Sequence, residues 1–335
     1  MRKLFLQIIS LLLPAMLMSQ DLHFSESYIN PILQNPANTG YFNGDIRATL
    51  VHRSQWSSVT VPYNTTSVST DMHFLKGPGR VDILGIGVIM ASDKAGDSHY
   101  QNTVFGGSVA YSKAVDRFGG QYFSGGALIS YSQTTLDYSS LTFDNQFDGY
   151  AFDPLLPTGE NLDLAKAAYA DFAIGAAMNF LPSRKRNFTI GAAAFHLNEP
   201  KFGFINMSSK LPRKYVLHGS SQFHLTKNFE LYPKFNVSYQ GISLEAVAGT
   251  YMRIDLDPTN KSEYAVYVGG WYRYGDAIIV NTRFDFYKMS FGFSYDIVTS
   301  KLYKVSNARG GPEVSLIYIG KIPGLPKKII NCPRF

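Results

Sequence analysis

The stretch AIIVNTRFDFY, residues 277–287, followed closely by MSFGFSYDIV, residues 289–298, decides what kind of chain this is. In the first, Ile278, Val280, Thr282, Phe284 and Phe286 fall on one side of an extended strand, with Asn281, Arg283 and Asp285 on the other. In the second, Phe291, Phe293, Tyr295 and Ile297 share a side, opposite Ser290, Gly292, Ser294 and Asp296. Side chains alternate across a strand, so both are ribbons with one greasy and one polar face. Alternation alone does not say which face is inside. A soluble sandwich buries its greasy side, whereas a membrane barrel turns that side to lipid and lines its lumen with the polar one. Length separates the two: strands of soluble proteins average about 5–6 residues, and these run nearer the ~9–11 that a tilted strand needs to cross a bilayer.

The same pattern, punctuated by turn signals, recurs along the chain. Fourteen candidate strands are centred near Ala48, Val68, Gly87, Ala110, Ile129, Ile174, Ala192, Gly219, Phe235, Val247, Val268, Val280, Phe293 and Leu316. An even number of antiparallel strands returns both ends of a barrel to one side. With those ends periplasmic, the longest connections, about Asp137 to Ala165, Glu199 to Arg213 and Thr299 to Pro312, point outward. SRKR (183–186) and TKN (226–228) are then short periplasmic turns, and DLDPTNKSE (255–263) is a longer one on that side. Closure also leaves no lipid-exposed backbone group unpaired and no open edge to aggregate. The expectation is an all-β fold, an antiparallel transmembrane β-barrel of about 14 strands over residues 46–320.

Composition agrees with strands: 24 Phe, 22 Tyr and 29 Gly, with 17% charged residues where about 25% is usual. The opening MRKLFLQIISLLLPAMLMSQ has a basic start at Arg2 and Lys3, an apolar run from Leu4 to Met18 and a small residue, Ser19, before a cut. Residues 1–19 are therefore expected to be a signal peptide and 20–45 a periplasmic segment. Beyond them no run approaches the ~18 apolar residues of a membrane helix, which excludes a helical membrane protein. Net charge is +6, and +4 without Arg2 and Lys3. The basic residues are scattered, so nucleic-acid binding has no support.

Chemistry-bearing motifs are sparse. The seven histidines, His23, His52, His73, His99, His196, His218 and His224, include no pair at the spacing that puts two imidazoles on one helical face. There is no G-x-S-x-G elbow and no P-loop. Cys332 stands alone and can form neither an internal disulfide nor a cysteine-built metal site. Neither catalysis nor a cofactor is expected. In FDNQFDGYAFD, Asp144, Asn145, Asp148 and Asp153 offer oxygen ligands for calcium, but the spacing is not that of an EF-hand, and Asx residues commonly build turns. The NTT at Asn64 matches a glycosylation pattern that recurs by chance. Glu245, Arg253, Arg273, Arg283 and Asp285 are candidate lumen charges, either bracing the interior as ion pairs or, less simply, lining a substrate path.

Several segments together carry a resemblance. QDLHFSESYINPILQNPANTGYFNGDIRATLVHRSQW (20–56) resembles the mature start of the PorP/SprF family of type IX secretion system outer-membrane proteins. The likeness continues through FHLNEPKFGF, LPRKYVLHGS, LYPKFNVSYQG, GGWYRYGDAIIVNTRFDFYKMSFGFSYDIVTSKL, GGPEVSLIY and the final CPRF. It implies a barrel in the bacterial outer membrane, without catalytic activity. It further implies work with the secretion and gliding-motility apparatus, through periplasmic ring proteins or lipoproteins, or through a secreted surface adhesin. A transporter or channel for a small or hydrophobic solute stays open as the alternative.

The end of the chain is read in this light. EVSLIYIG (313–320) alternates Val314, Leu316 and Tyr318 and can close the barrel. After it, Pro323 and Pro326 remove backbone donors, and Lys327 and Lys328 would sit badly against lipid. Residues 321–335 are expected to form a periplasmic tail in which Lys327, Lys328, Cys332 and Phe335 contact a partner, or else a plug tucked under the barrel.

Overall fold

The computed structural model describes residues 21–322, apart from 58–60, 77–81, 97–99, 117–119, 138–140, 160–165, 184–185, 204–208, 257–262 and 302. The signal-peptide residues 1–19 and the tail candidates Lys327, Lys328, Cys332 and Phe335 lie outside the described residues. The strands of the first half are β1 (Ile46–Gln55), β2 (Tyr63–Lys76), β3 (Asp82–Ala95), β4 (Tyr100–Ala114), β5 (Gln121–Thr135), β6 (Lys166–Ser183) and β7 (Arg186–Phe195). A two-residue hairpin, β8 (Lys201–Phe202) and β9 (Ser209–Lys210), sits within the next connection. Then follow β10 (Lys214–His224), β11 (Phe229–Gln240), β12 (Ser243–Asp255), β13 (Tyr264–Arg273), β14 (Ala277–Phe286), β15 (Met289–Val298) and β16 (Arg309–Gly320).

All of these except β8 and β9 join one closed antiparallel barrel of fourteen strands, each pairing with its neighbours in sequence. The ring shuts where β1 meets β16, from Ile46 opposite Gly320 to Arg53 opposite Glu313. Every strand centre expected from the sequence falls inside one of the fourteen. Closure satisfies the backbone without exposing an edge, a condition that lipid imposes. A ten-residue strand such as β14 rises about 3.3 Å per residue; tilted by roughly 40°, it covers the ~25 Å apolar band of such barrels.

Along β14 the burial alternates strictly: Ala277, Ile279, Asn281, Arg283 and Asp285 are buried, while Ile278, Val280, Thr282, Phe284 and Phe286 face out. The outward set around the barrel is greasy, including Val68, Met90, Phe105, Ile129, Ile174, Val268 and Phe293. Aromatic residues mark both rims, with Tyr239, Tyr272 and Tyr274 at one and Phe74, Phe123 and Tyr287 at the other. The greasy face is therefore the lipid face and the polar face is the lumen.

The barrel has two unlike ends. β1 begins and β16 finishes at the entry end, where β14 passes to β15 through Tyr287 and Lys288 alone. The opposite, loop end carries the long connections from β5 to β6, β7 to β10 and β15 to β16, as the sequence suggests. In the longest, Asp148 Oδ1 accepts the N–H of Tyr150 at 2.7 Å and of Ala151 at 2.8 Å, and Asp153 Oδ1 that of Leu155 at 2.9 Å. Asp148 and Asp153, two of the four Asx residues considered for calcium, build turns there.

One expectation is corrected. Residues 21–45 do not hang beneath the barrel as a periplasmic segment but run inside it. Ile29, Ile32 and Phe42 are buried, and Ser25, Asn35 and Gly40 hydrogen-bond to the inner wall. The buried charges of the inner wall need partners, and this segment supplies them.

An outward charge near mid-strand should be costly. Val280→Arg is expected to destabilise the folded barrel by about 2–4 kcal/mol, read as a lower urea midpoint in lipid vesicles.

Candidate functional site: the filled lumen

The N-terminal segment passes down the lumen from the loop end to the entry end. Its sequence has no strand alternation, and prolines shape it. Pro31 opens the short helical turn Pro31–Gln34, and Pro36 opens the turn Pro36–Asn38, positions where a missing N–H costs nothing. Asn35 caps the second turn, its Oδ1 accepting the N–H of Ala37 at 2.9 Å. The same side chain reaches the wall, where Nδ2 donates to the carbonyl of Ala176 at 3.0 Å and meets His218 Nε2 at 3.0 Å.

Wall glycines let the segment lie this close. A Cβ at Gly126 would come within 2.5 Å of the Pro36 carbonyl carbon, and one at Gly85 within 2.1 Å of the Thr39 oxygen. Neither backbone atom can yield as a flexible side-chain tip would, so these two positions exclude any larger residue while the segment is in place.

At the entry end, Arg47 forks onto Asp71 with Nε to Oδ1 at 2.9 Å and Nη2 to Oδ2 at 2.6 Å. Asp71 Oδ2 also accepts the N–H of Gly40 at 2.8 Å, and Arg47 lies 4.6 Å from the Phe42 ring centroid. In mid-lumen, Glu26 accepts from Asn281 Nδ2 at 2.6 Å and from Arg283 Nη2 at 3.4 Å. Tyr28 stacks on Trp271 at 5.1 Å, and its hydroxyl bonds that of Tyr251.

Above these lies a charged knot. Asp296, 1% exposed, accepts Arg53 Nη2 at 2.6 Å and Arg273 Nη1 at 3.0 Å on one oxygen, and Ser25 Oγ at 2.6 Å on the other. Glu313 accepts the backbone N–H of Ser25 at 2.7 Å and of Glu26 at 3.2 Å. The β15–β16 ladder shifts register between Asp296 and Ile297, a bulge at the residue on which the knot centres. Strands β1, β13, β15 and β16 thus converge on two consecutive residues of the N-terminal segment.

At the loop end, Asp21 pairs with Lys214 Nζ at 3.0 Å and with His196 Nε2 at 3.5 Å, while His196 Nδ1 meets Asp171 at 2.9 Å. Burial opposes charge on His196, but its hydrogen bonds to Asp171 and Asp21 outweigh this and push it up to about 9. Burial likewise opposes charge on Asp21, yet Lys214 and His196 hold its carboxyl well below the usual range.

All five lumen charges singled out from the sequence face inward, but in separate groups. Arg273 and Glu245 meet at 3.5 Å beside the knot. Arg283 serves Glu26. Arg253 pairs with Asp255 at 2.6 Å, and Asp285 accepts Tyr267 OH at 2.9 Å. Sequence reasoning missed Arg53, Glu313, Arg47 and Asp71, although each stands on the polar face of an alternating strand. It also missed Ser25, Glu26 and Asn35, for which the prolines and asparagines of an unalternating stretch were the only signal. Among the described residues no three His, Cys, Asp or Glu side chains are placed to hold a metal ion, and no helix is long and apolar enough to cross a membrane.

The profile of the family described as type IX secretion system membrane protein PorP/SprF matches residues 17–318. No curated protein sequence matches. Among solved structures, the CymD monoaromatic hydrocarbon channel aligns with TM-score 0.52 and 8% identity over 88% of this chain and 93% of its own. The Ralstonia pickettii toluene transporter TbuX aligns with TM-score 0.50 and 8% identity, over 86% and 92%. At that identity the likeness concerns the fold alone.

Two outcomes follow from the lumen contacts. Asp296→Ala leaves Arg53 and Arg273 facing each other without their shared carboxylate and should cost about 3–5 kcal/mol, measured as a lowered urea midpoint. A histidine whose folded value is raised contributes fully below its ordinary ~6.5, and that contribution is lost as pH rises through the folded value. A spin label at Leu22→Cys, with Cys332→Ser, should therefore gain mobility between about pH 8 and 10. With His196→Gln added, it should be mobile already at neutral pH.

Proposed function

Because this chain belongs to the PorP/SprF family of type IX secretion system membrane proteins, we propose that it is a non-enzymatic component of that machinery, anchoring or assisting the secretion of surface proteins or adhesins. It is a β-barrel of the outer membrane. The family match over residues 17–318 carries the reading.

The filled lumen supports it. Ion pairs at Asp21 and Glu26 and hydrogen bonds at Ser25, Asn35 and Gly40 fasten the N-terminal segment, so the barrel behaves as a rigid membrane-seated body whose free surfaces are its rims. The partners proposed are periplasmic ring proteins or lipoproteins at the entry end, and a secreted adhesin at the loop end. On the entry side the contacts are assigned to residues 321–335, with Lys327, Lys328, Cys332 and Phe335 as the docking residues. This tail leaves β16 beside the start of the barrel, where Asp45 Oδ2 accepts the N–H of Ile322 at 2.6 Å.

The test is a deletion of the gene in the source bacterium, complemented by the full chain or by a chain lacking Asn331 to Phe335. Deletion is expected to strip one or more secreted proteins from the cell surface. The truncated chain should insert normally, yet lose both rescue and co-purification of periplasmic partners from mild-detergent membranes. Normal surface display in the deletion strain, with solute uptake impaired instead, would overturn the reading in favour of a transporter. Full rescue by the truncated chain would remove the tail from it.

A further inference from the structure

The N-terminal segment does not fill the lumen evenly. On its flank towards β7, β10 and β11 a chamber of about 60 Å³ remains, beside a pocket of about 10 Å³ nearer the entry end. Lys234, Ser220 and Thr189 line both. The inward cations Arg47, Arg53, Arg253, Arg273, Arg283 and Lys214 each lie within 3.4 Å of a carboxylate oxygen. Lys234 differs: among the described residues it has neither an ion pair nor a hydrogen bond, and its Nζ stands 4.0 Å from the centroid of the Tyr28 ring.

An ammonium is a compact, strongly hydrated charge with three donors, and half-buried Lys234 has as counter-charge, among the described residues, only the Glu26 carboxylate, which does not bond it and is already shared with Arg283. The Tyr28 face meets it from one side only. The other groups around the chamber suit an anion. Asn236 Oδ1 accepts from Gln34 Nε2 at 3.2 Å, which leaves the Asn236 N–H donors for the chamber, and the Ser220 hydroxyl can donate. Below, Asn187, 6% exposed, has an Oδ1 without a partner, an acceptor that a water from an anion's hydration shell can meet. A water needs about 10–15 Å³ of such space, so the chamber admits a halide with its waters or a single phosphate and nothing much larger.

Further cavities adjoin the chamber towards the loop end. The chamber shares Ser27, Gln34 and Asn236 with a cavity of about 40 Å³, which in turn shares His23 and Glu245 with a vestibule of about 260 Å³ at the loop end. We propose that Lys234 is the centre of a lumenal binding site for a small inorganic anion, reached from the loop end along one flank of the N-terminal segment.

The experiment uses the full chain in detergent. Thermal unfolding is followed at constant ionic strength in chloride, bromide, phosphate or gluconate, the last being too large for the chamber. Crystals soaked in bromide locate the ion by anomalous scattering. The wild type should unfold several degrees higher in at least one of the small anions than in gluconate, and bromide should scatter beside Lys234. Lys234→Gln should abolish both effects, whereas Lys227→Gln, on the β10–β11 turn, should change neither. Unfolding that ignores the anion in wild type, or an equal dependence in Lys234→Gln, would overturn the site. Should Lys234→Gln fail to fold, the bromide position in wild type decides, and its absence from the chamber overturns the proposal.

Discussion

An arginine turned into a barrel wrapped in lipid must find its counter-charge inside the barrel. That constraint organises the molecule. Arg53, Arg273 and Arg283 enter the lumen from β1, β13 and β14, and the wall carboxylates Asp296 and Glu313 answer only part of what they need. Residues 25 and 26 of the same chain supply the rest: Glu26 accepts from Arg283 and Ser25 Oγ from Arg273, while the Ser25 hydroxyl donates to Asp296 and the N–H groups of both residues donate to Glu313. Wall and filling complete each other's hydrogen bonds, so neither is a stable half.

Such pairing is weak evidence for net stability, because desolvating several charges costs much of what their attraction returns. It is better evidence for position. A segment held at Asp21, at Ser25 and Glu26, at Asn35 and at Gly40 has one register in the lumen, and Gly85 and Gly126 have the shape of that register pressed into the wall. Where the contact loosens, along β10 and β11, the lumen retains space and, among the described residues, the Lys234 cation outside the ion-pair scheme. The proposed functions divide along the same line: the rims meet proteins, and the gap beside the segment meets small ions.

The barrel itself was readable because two facts about it are local. Alternation declares which residues share a face, and strand length declares that the face spans a bilayer; neither requires knowledge of a distant residue. For the same reason Arg283, Asp285 and Arg273 could be assigned to the lumen from β-strand periodicity alone. The N-terminal segment was misread because its evidence is not local. Nothing in FSESYINPILQ says that Ser25 bonds a residue 271 positions later, or that Glu26 bonds one 255 positions later. A stretch without alternation ahead of the first strand looks the same whether it hangs below a barrel or runs through it.

The amino-acid sequence by itself determined a fourteen-strand barrel, which side of each strand meets lipid, and the resemblance that names its family. The tertiary structure alone decided that the lumen is filled, by what, and which charges meet. The physical reason is range. Periodicity acts between neighbours a residue or two apart, whereas a buried charge is satisfied by whatever the closed ring brings beside it, and that ring exists only once β1 has found β16.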